Sequence, residues 1–234
     1  MTVPPTILVS KASAWDNTSQ SKSLTLNAGE LSVGDFIVLS ASSEDGAWTV
    51  SITAAAGQTF TQKGPVGTAG ASAWVSKWSA TSTSAGPLTF TLQVNVSGKW
   101  WGMSLRVYTN SNGIGALRAI DQTTGSSLPS TTLAVSGLSA IDFTDADWSA
   151  QPLTGHAYNE SSAGTFTETV AVRDSGGVLG AGYGGFYANA GTAGTKTIGM
   201  TAPSQRWTIV ALEVLGGPDP PVTAVGNKLK RWRY

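Results

Sequence analysis

The sequence predicts an all-β fold, an antiparallel β-sandwich or jelly roll, and three observations carry that prediction. Strand alternation is plain in Thr89-Phe90-Thr91-Leu92-Gln93-Val94-Asn95-Val96, where every second residue is apolar. Helical periodicity is hard to find anywhere, and turn dipeptides separate the alternating segments at short spacing. Gly, Ser and Thr make up 85 of the 234 residues and only 12% are charged, yet 41% are hydrophobic and nine are Trp, which fits a packed chain and not a disordered one.

In chain order, strands are expected at Ser23 to Leu26, Asp35 to Ser40, Trp48 to Ile52, Thr89 to Val96, Trp101 to Tyr108, Thr165 to Val172 and Trp207 to Leu215. Each is rich in the Thr, Val, Trp and Phe that suit a pleated, half-buried surface. Asp45-Gly46 lies between the second and third of these, and Asn112-Gly113 comes just after Trp101-to-Tyr108; both dipeptides supply the positive φ of tight turns. Asp142 to Trp148 is an uneven candidate, because acidic residues interrupt the apolar pattern. Gly216-Gly217-Pro218-Asp219-Pro220-Pro221 is expected to stop the last strand, since these residues do not continue a ladder. The remaining segment, Val222 to Tyr234, reads as an arm.

The chain repeats itself. Gly57-Gln58-Thr59-Phe60-Thr61-Gln62 returns as Ala163-Gly164-Thr165-Phe166-Thr167-Glu168, and Ala85-Gly86-Pro87-Leu88-Thr89-Phe90 as Ala193-Gly194-Thr195-Lys196-Thr197-Ile198. Trp100 to Val107 matches Trp207 to Val214, and Leu31 to Phe36 has a weaker echo in Leu138 to Phe143. Each half, about 5–110 and 116–217, therefore carries one strand plan. Two geometries satisfy this: two separate small sandwiches, or one sandwich over 1–217 in which the halves interleave about a pseudo-twofold axis. The junction at Asn110 to Ala116 has no linker composition, which favours the single sandwich. Residues 218–234 form the Pro-rich hinge and arm.

Charge and composition narrow the function classes. With 14 basic and 14 acidic residues the chain has no net charge, so no general nucleic-acid binding is expected. Zero Cys removes thiol catalysis and Cys-based zinc sites, and a single His, His156, leaves one imidazole for base or ligand work. The start of the sequence has no basic n-region and only a short apolar run, so neither a signal peptide nor membrane insertion is expected. No enzyme activity and no cofactor are expected. Four cations crowd the end, Lys228, Lys230, Arg231 and Arg233, against a body with three more acidic than basic residues. Val222, Val225, Leu229, Trp232 and Tyr234 lie among them, and apolar side chains on a solvated tail would gain nothing unless covered. The arm is therefore read as a partner-binding segment comprising Val222, Val225, Lys228, Leu229, Lys230, Arg231, Trp232, Arg233 and Tyr234.

Several other residues invite a functional reading. Trp74, Trp78 and Trp100 crowd one part of the first half and could stack on sugars as surface glycan contacts, although a core or subunit-interface role is the plainer reading. By alternation Trp101 belongs in the core with Met103, Leu105 and Val107, while Trp100 points the other way. Asp142, Asp145 and Asp147 could bind Ca²⁺, but the spacing lacks the Gly and terminal Glu of an EF-hand loop, and a solvated acidic loop is the plainer reading. Glu44-Asp45, or Glu160 with Glu168, could be imagined as glycosidase carboxylates, with nothing to fix their separation. His156 has no nucleophile signature near it and reads as an ordinary loop residue. Gly180-Ala181-Gly182-Tyr183-Gly184-Gly185 formally satisfies the dinucleotide fingerprint, but no helical pattern comes after it, so it reads as a small-residue strand.

The runs Ala28 to Ser42 (AGELSVGDFIVLSAS), Ala56 to Gln62 (AGQTFTQ), Trp100 to Tyr108 (WWGMSLRVY), Ala163 to Glu168 (AGTFTE) and Trp207 to Leu215 (WTIVALEVL), with the terminal VTAVGNKLKRWRY, resemble the Gly/Ser/Thr-rich β-sandwich proteins encoded among the virion structural genes of actinobacterial tailed phages. Such proteins are commonly called minor tail proteins. The resemblance covers most of the chain and rests on structural and compositional motifs. It implies a non-enzymatic virion building block, assembled in the host cytoplasm, whose partners are other tail or capsid subunits, including copies of itself. A capsid decoration protein and a carbohydrate-binding module that reads a host surface glycan are the alternatives.

Overall fold

The computed structural model describes residues 2–43, 49–54, 57–66, 73–121, 127–148, 156–173, 180–202 and 204–218. They form an all-β molecule in which every strand pairing is antiparallel. The strands are β1 (Thr2–Val3), β2 (Thr6–Ala12), β3 (Ser21–Leu26), β4 (Phe36–Ser43), β5 (Val50–Ala54), β6 (Thr61–Val66), β7 (Trp74–Thr81), β8 (Leu88–Val94) and β9 (Trp101–Thr109), then β10 (Ser111–Asp121), β11 (Ser130–Val135), β12 (Ser139–Trp148), β13 (Ala157–Tyr158), β14 (Phe166–Arg173), β15 (Gly180–Tyr187), β16 (Gly194–Ala202) and β17 (Arg206–Pro218). No helix long and apolar enough to cross a membrane occurs among the described residues.

Four sheets are built. In the first half, β2-β9-β4-β7-β6 faces the smaller β3-β8-β5. In the second, β1-β17-β12-β15-β14, with β10 on β17, belongs with β11-β16-β13. Each half encloses its own core. Leu26, Leu39, Trp74, Trp78, Phe90, Trp101 and Leu105 cluster in the first, and Leu133, Ile141, Phe143, Tyr187, Ile198, Trp207 and Ile209 in the second. The interleaved sandwich expected from the short junction is therefore not the arrangement found. Pairing stays within each half except that β1, at the start of the chain, joins the end of β17. The junction can be short because the two large sheets lie back to back, and one tight turn at Asn110, with φ of 55°, passes the chain from β9 to β10. Asn112-Gly113 falls inside β10, where the register shifts, and the left-handed Gly113 serves a bulge rather than a hairpin tip.

This stacking explains the composition of the central strands. β4 and β15 are buried along their whole length, as are all but the last residues of β7 and β9, because one face meets its own core and the other meets the opposite half. Along β4, Ile37, Leu39 and Ala41 enter the first core, whereas Phe36 and Val38 pack with Tyr108, Ala140, Leu212 and Val214 between the halves. Outer strands keep a wet face: in β8, Phe90, Leu92 and Val94 are buried while Thr89 and Gln93 are exposed. There Ser23 meets Thr91, and Thr25 meets Thr89, through cross-strand hydroxyl hydrogen bonds of 2.7 and 2.8 Å.

The repeat is visible in register. Phe60 and Phe166 each stand at the entry to an outer strand that shifts register soon after, between Lys63 and Pro65 in β6 and between Glu168 and Val170 in β14. Phe90 and Ile198 are both fully buried in their cores. The tryptophan block slips by one residue: Trp101 and Trp207, 1% and 5% exposed, take equivalent core places, so Trp100 is not the counterpart of Trp207. The Leu31-to-Phe36 echo also fails as a spatial match, since Phe36 faces the other half and Phe143 faces its own core. A face that alternates every residue makes such slips easy in sequence.

Two further expectations change. β12 is a full ten-residue strand across Asp142 to Trp148, and its acids are buried rather than looped out. β17 runs through Gly216, Gly217 and Pro218, pairing with Ser111, Val3 and Thr2, so the Gly-Gly-Pro segment does not end it earlier. A Cβ at Gly216 would overlap the carbonyls of Val3 and Leu138, which is why three chain segments can converge there only on glycine. The turn at Asp45-Gly46 and the arm from Asp219 onward lie outside the described residues.

Candidate functional site

The three aspartates of β12 divide between its two faces. Asp142 faces the first half and is fully buried with Lys77 from β7, and Arg106 and Tyr108 from β9. Its Oδ2 accepts from Arg106 Nε at 2.6 Å and Tyr108 OH at 2.7 Å, and its Oδ1 accepts from Arg106 Nη2 at 2.9 Å and from Lys77 Nζ. Arg106 also donates to Thr144 and Thr169. Burial works to raise the Asp142 carboxyl, but the Arg106 and Lys77 charges and hydrogen bonds outweigh it and hold it at about 2. Burial pulls Lys77 down to about 7, with Arg106 repelling it and Asp142 opposing both. This cluster closes on itself and ties the two halves together.

Asp145 and Asp147 point the other way, onto the face that carries Ile141 and Phe143. Asp145 lies opposite Tyr183 and Ile209, and Asp147 opposite Ala181 and Trp207. Both are fully buried, and beyond the hydrogen bond between the two carboxyls and the Ala146 amide beside Asp145, no donor reaches them among the described residues. Burial pushes Asp145 up to about 8 and Asp147 well above the usual carboxylate range, the neighbouring Asp145 adding to the latter. At neutral pH the free pair therefore holds protons. Because Asp142 sits on the opposite face, the three acids do not form one Ca²⁺ site, and none of them belongs to a solvated loop.

Beside the pair, the start of the short sheet and β14 assemble a second group. Glu168 Oε2 accepts from Tyr158 OH at 2.6 Å and lies 2.5 Å from His156 Nε2. The His156 ring is 5.1 Å from that of Tyr183, and Tyr158 stacks on Phe166 at 3.9 Å. His156 is thus tied into a cluster that its sequence context does not suggest. Glu160 does not join Glu168 as a second carboxylate but accepts from the Phe166 amide at 2.7 Å. Glu44 and Asp45 lie outside the described residues.

The remaining candidates resolve by burial. Trp74 and Trp78 are 2% and 4% exposed and belong to the first core, so neither offers a ring face to a sugar. Trp78 borders a groove that Phe60 and Gln62 also line. Trp100 is half-buried against the Trp15, Val75 and Val210 cluster between the halves. Trp101, Met103, Leu105 and Val107 are all core, as alternation places them. Gly180 to Gly185 is β15, and its glycines serve packing: a Cβ at Gly182 would overlap the Trp15 ring of the first half, and one at Gly185 would overlap Phe166 and the Thr167 carbonyl. All nine arm residues, Val222, Val225, Lys228, Leu229, Lys230, Arg231, Trp232, Arg233 and Tyr234, lie outside the described residues.

Lys77 and Arg106 are functional residues of the fold that sequence reading passed over. The signal was there: each is a cation in the middle of an otherwise uncharged, strongly apolar strand, in a chain with few charges to spend. Comparison with protein-family models, curated proteins and solved structures finds no match to this chain.

Proposed function

We propose that this chain is a non-enzymatic structural protein of a phage virion, a minor tail protein that assembles through its C-terminal arm. The observation that carries the reading is the place from which the arm departs. β17 runs from the centre of the second large sheet out to Pro218, where β1 pairs with it and the Gly217 amide donates to the Asn110 carbonyl at 2.6 Å. The last described residue is thereby anchored to both halves, and residues 219–234, with four cations and the apolar Val222, Val225, Leu229, Trp232 and Tyr234, continue directly from it.

The rest of the molecule supports the same role. Four sheets stacked back to back, joined by a buried ion cluster, make a body suited to transmit load and hold shape. The body before the arm carries an acidic excess, and the arm is basic, so a copy's arm is attracted to its neighbour's body. Many such contacts around a particle act together even when each is weak. A tagged chain ending at Pro218 should fold with an unchanged melting profile yet fail to enter particles. Incorporation of that truncated chain at the full-length level would end the arm-assembly reading.

A further inference from the structure

The second half supplies a template for an open place in the first. Between β13 and β14, Tyr158 closes the mouth of the second sandwich: its ring stacks on Phe166 at 3.9 Å and its hydroxyl donates to Glu168 at 2.6 Å. The repeat puts Phe60 in the place of Phe166 and Gln62 in that of Glu168. Register agrees, because Gln62 and Glu168 lie opposite Trp78 and Gly185, which in turn lie opposite the core residues Leu39 and Phe143. Tyr158 pairs with Met200, two positions after Ile198, and Ile52 pairs with Leu92, two positions after Phe90. Ile52 therefore holds the place of Tyr158.

Isoleucine brings neither the ring nor the hydroxyl. Between β5 and β6 a groove of about 310 Å³ is left, lined by Val50, Ile52, Gln58, Phe60, Gln62 and Trp78. Phe60 meets Phe90 edge-on at 5.7 Å, and among the described residues no ring covers it as Tyr158 covers Phe166. Gln62 Nε2 donates to Ser76 Oγ at 3.0 Å, while its Oε1 accepts no hydrogen bond among the described residues. The groove thus presents an aromatic ring and, two residues along the strand, an oxygen acceptor, the pair that holds a phenol in the sister sandwich.

The chain has five tyrosines, and four of them, Tyr108, Tyr158, Tyr183 and Tyr187, are built into the body. The fifth is Tyr234, in the arm. Residues 219–234, when extended, reach roughly 50 Å beyond Pro218, enough to cross to an adjoining body. We infer that the groove between β5 and β6 is the seat for the arm of an adjoining copy, with Tyr234 stacked on Phe60 and its hydroxyl donating to Gln62. The inference rests on the arm-assembly reading and names the surface that the arm meets.

The sequence contains no cysteine, so disulfide trapping has no background. Full-length protein carrying Val50→Cys, on the groove wall, is mixed under mild oxidation with full-length protein carrying Arg233→Cys. A disulfide between the two chains should form roughly tenfold faster than it does when the first partner carries Thr89→Cys instead, on the solvent face of β8. Ile52→Tyr, which supplies the ring that the second sandwich already has, should keep the melting midpoint and abolish the trapping. Gln62→Leu, at an exposed side chain, and Tyr234→Leu, in the arm, should each slow it several-fold without loss of the fold. Trapping no faster than in the Thr89→Cys control would overturn the inference. So would trapping that Gln62→Leu and Tyr234→Leu both leave unchanged, or a disulfide that forms only within single chains carrying both cysteines. Particle incorporation separates the groove from the arm: uptake of Ile52→Tyr at the native level, with exclusion of the chain ending at Pro218, refutes the groove and leaves arm assembly standing, whereas uptake of the truncated chain refutes both.

Discussion

Replacing Asp142 with Asn tests how the two halves are joined. The carboxylate accepts four hydrogen bonds, from Lys77, from two nitrogens of Arg106 and from Tyr108, in a place with no access to water. Asparagine keeps one acceptor oxygen, turns an NH₂ toward the cations and removes the negative charge facing them. Breaking a buried pair from one side costs about 3–5 kcal/mol, and here two cations are stranded, so the loss should lie near the upper end, about 4–5 kcal/mol. For a chain of this size that is a fall of roughly 8–20 °C in melting midpoint. The acid side of the native protein should report the same interaction. The folded carboxyl titrates near 2 against an unfolded value of 3.8, so its contribution is present above about pH 4 and is lost as pH falls through 2. That amounts to about 2 kcal/mol. Urea titrations at pH 7 and at pH 2–5, on the native chain and Asp142→Asn, read both numbers. A control replaces Lys77 and Arg106 with Met, Asp142 with Leu and Tyr108 with Phe together, which should cost little or even stabilise, since no charge is left unpaired. A loss below about 1 kcal/mol in Asp142→Asn would refute the reasoning, as would a control as damaged as the single variant.

Two further outcomes are expected from the packing between the halves and the second core. Gly182→Ala should cost about 1–3 kcal/mol because its methyl meets the Trp15 ring, and in a Trp15→Ala background the same change should cost under about 0.5 kcal/mol, a coupling that denaturant titration of the four-protein cycle measures. The raised carboxyls of Asp145 and Asp147 make folding favour their protonated forms: the contribution of this pair is full below about pH 4 and is lost as pH rises toward 8. Asp145→Asn with Asp147→Asn should remove that decline, about 1.4 kcal/mol per pH unit for each proton, so its stability relative to the native protein should grow from pH 5 to 8.

What the sequence made legible was whatever a single strand decides for itself. Alternation placed Trp101, Met103, Leu105 and Val107 on one face and sent Trp100 to the other, and the Phe60 and Phe166 blocks matched because the bulge after each arises from local chemistry. What stayed hidden depends on contacts between distant segments. Asp142 looks like a flaw in a strand until Lys77 and Arg106, far away in sequence, are brought against it. The glycines of β15 look like a loose fingerprint until Trp15 is laid on Gly182. Whether the halves interleave or stack turns on the outer faces of β4, β7, β9, β12 and β17, and those faces are buried although they carry Ser40, Ser42, Lys77, Ser104, Arg106, Asp142 and Thr144 among their apolar side chains. A strand buried on both sides has no wet face to reveal its orientation, so Trp74 and Trp78 could be drawn on the surface as readily as inside. The raised, proton-holding carboxyls of Asp145 and Asp147 are a property of their surroundings alone.

The most direct test of the proposed role is a cryo-electron microscopy map of the assembled particle at a resolution that traces side chains. The account predicts the four-sheet body in the tail, repeated by the particle's symmetry, with Trp232 and Tyr234 of each copy seated on an adjacent subunit. A particle that lacks the chain, or one in which residues 219–234 fold back on their own body and touch no neighbour, would contradict it.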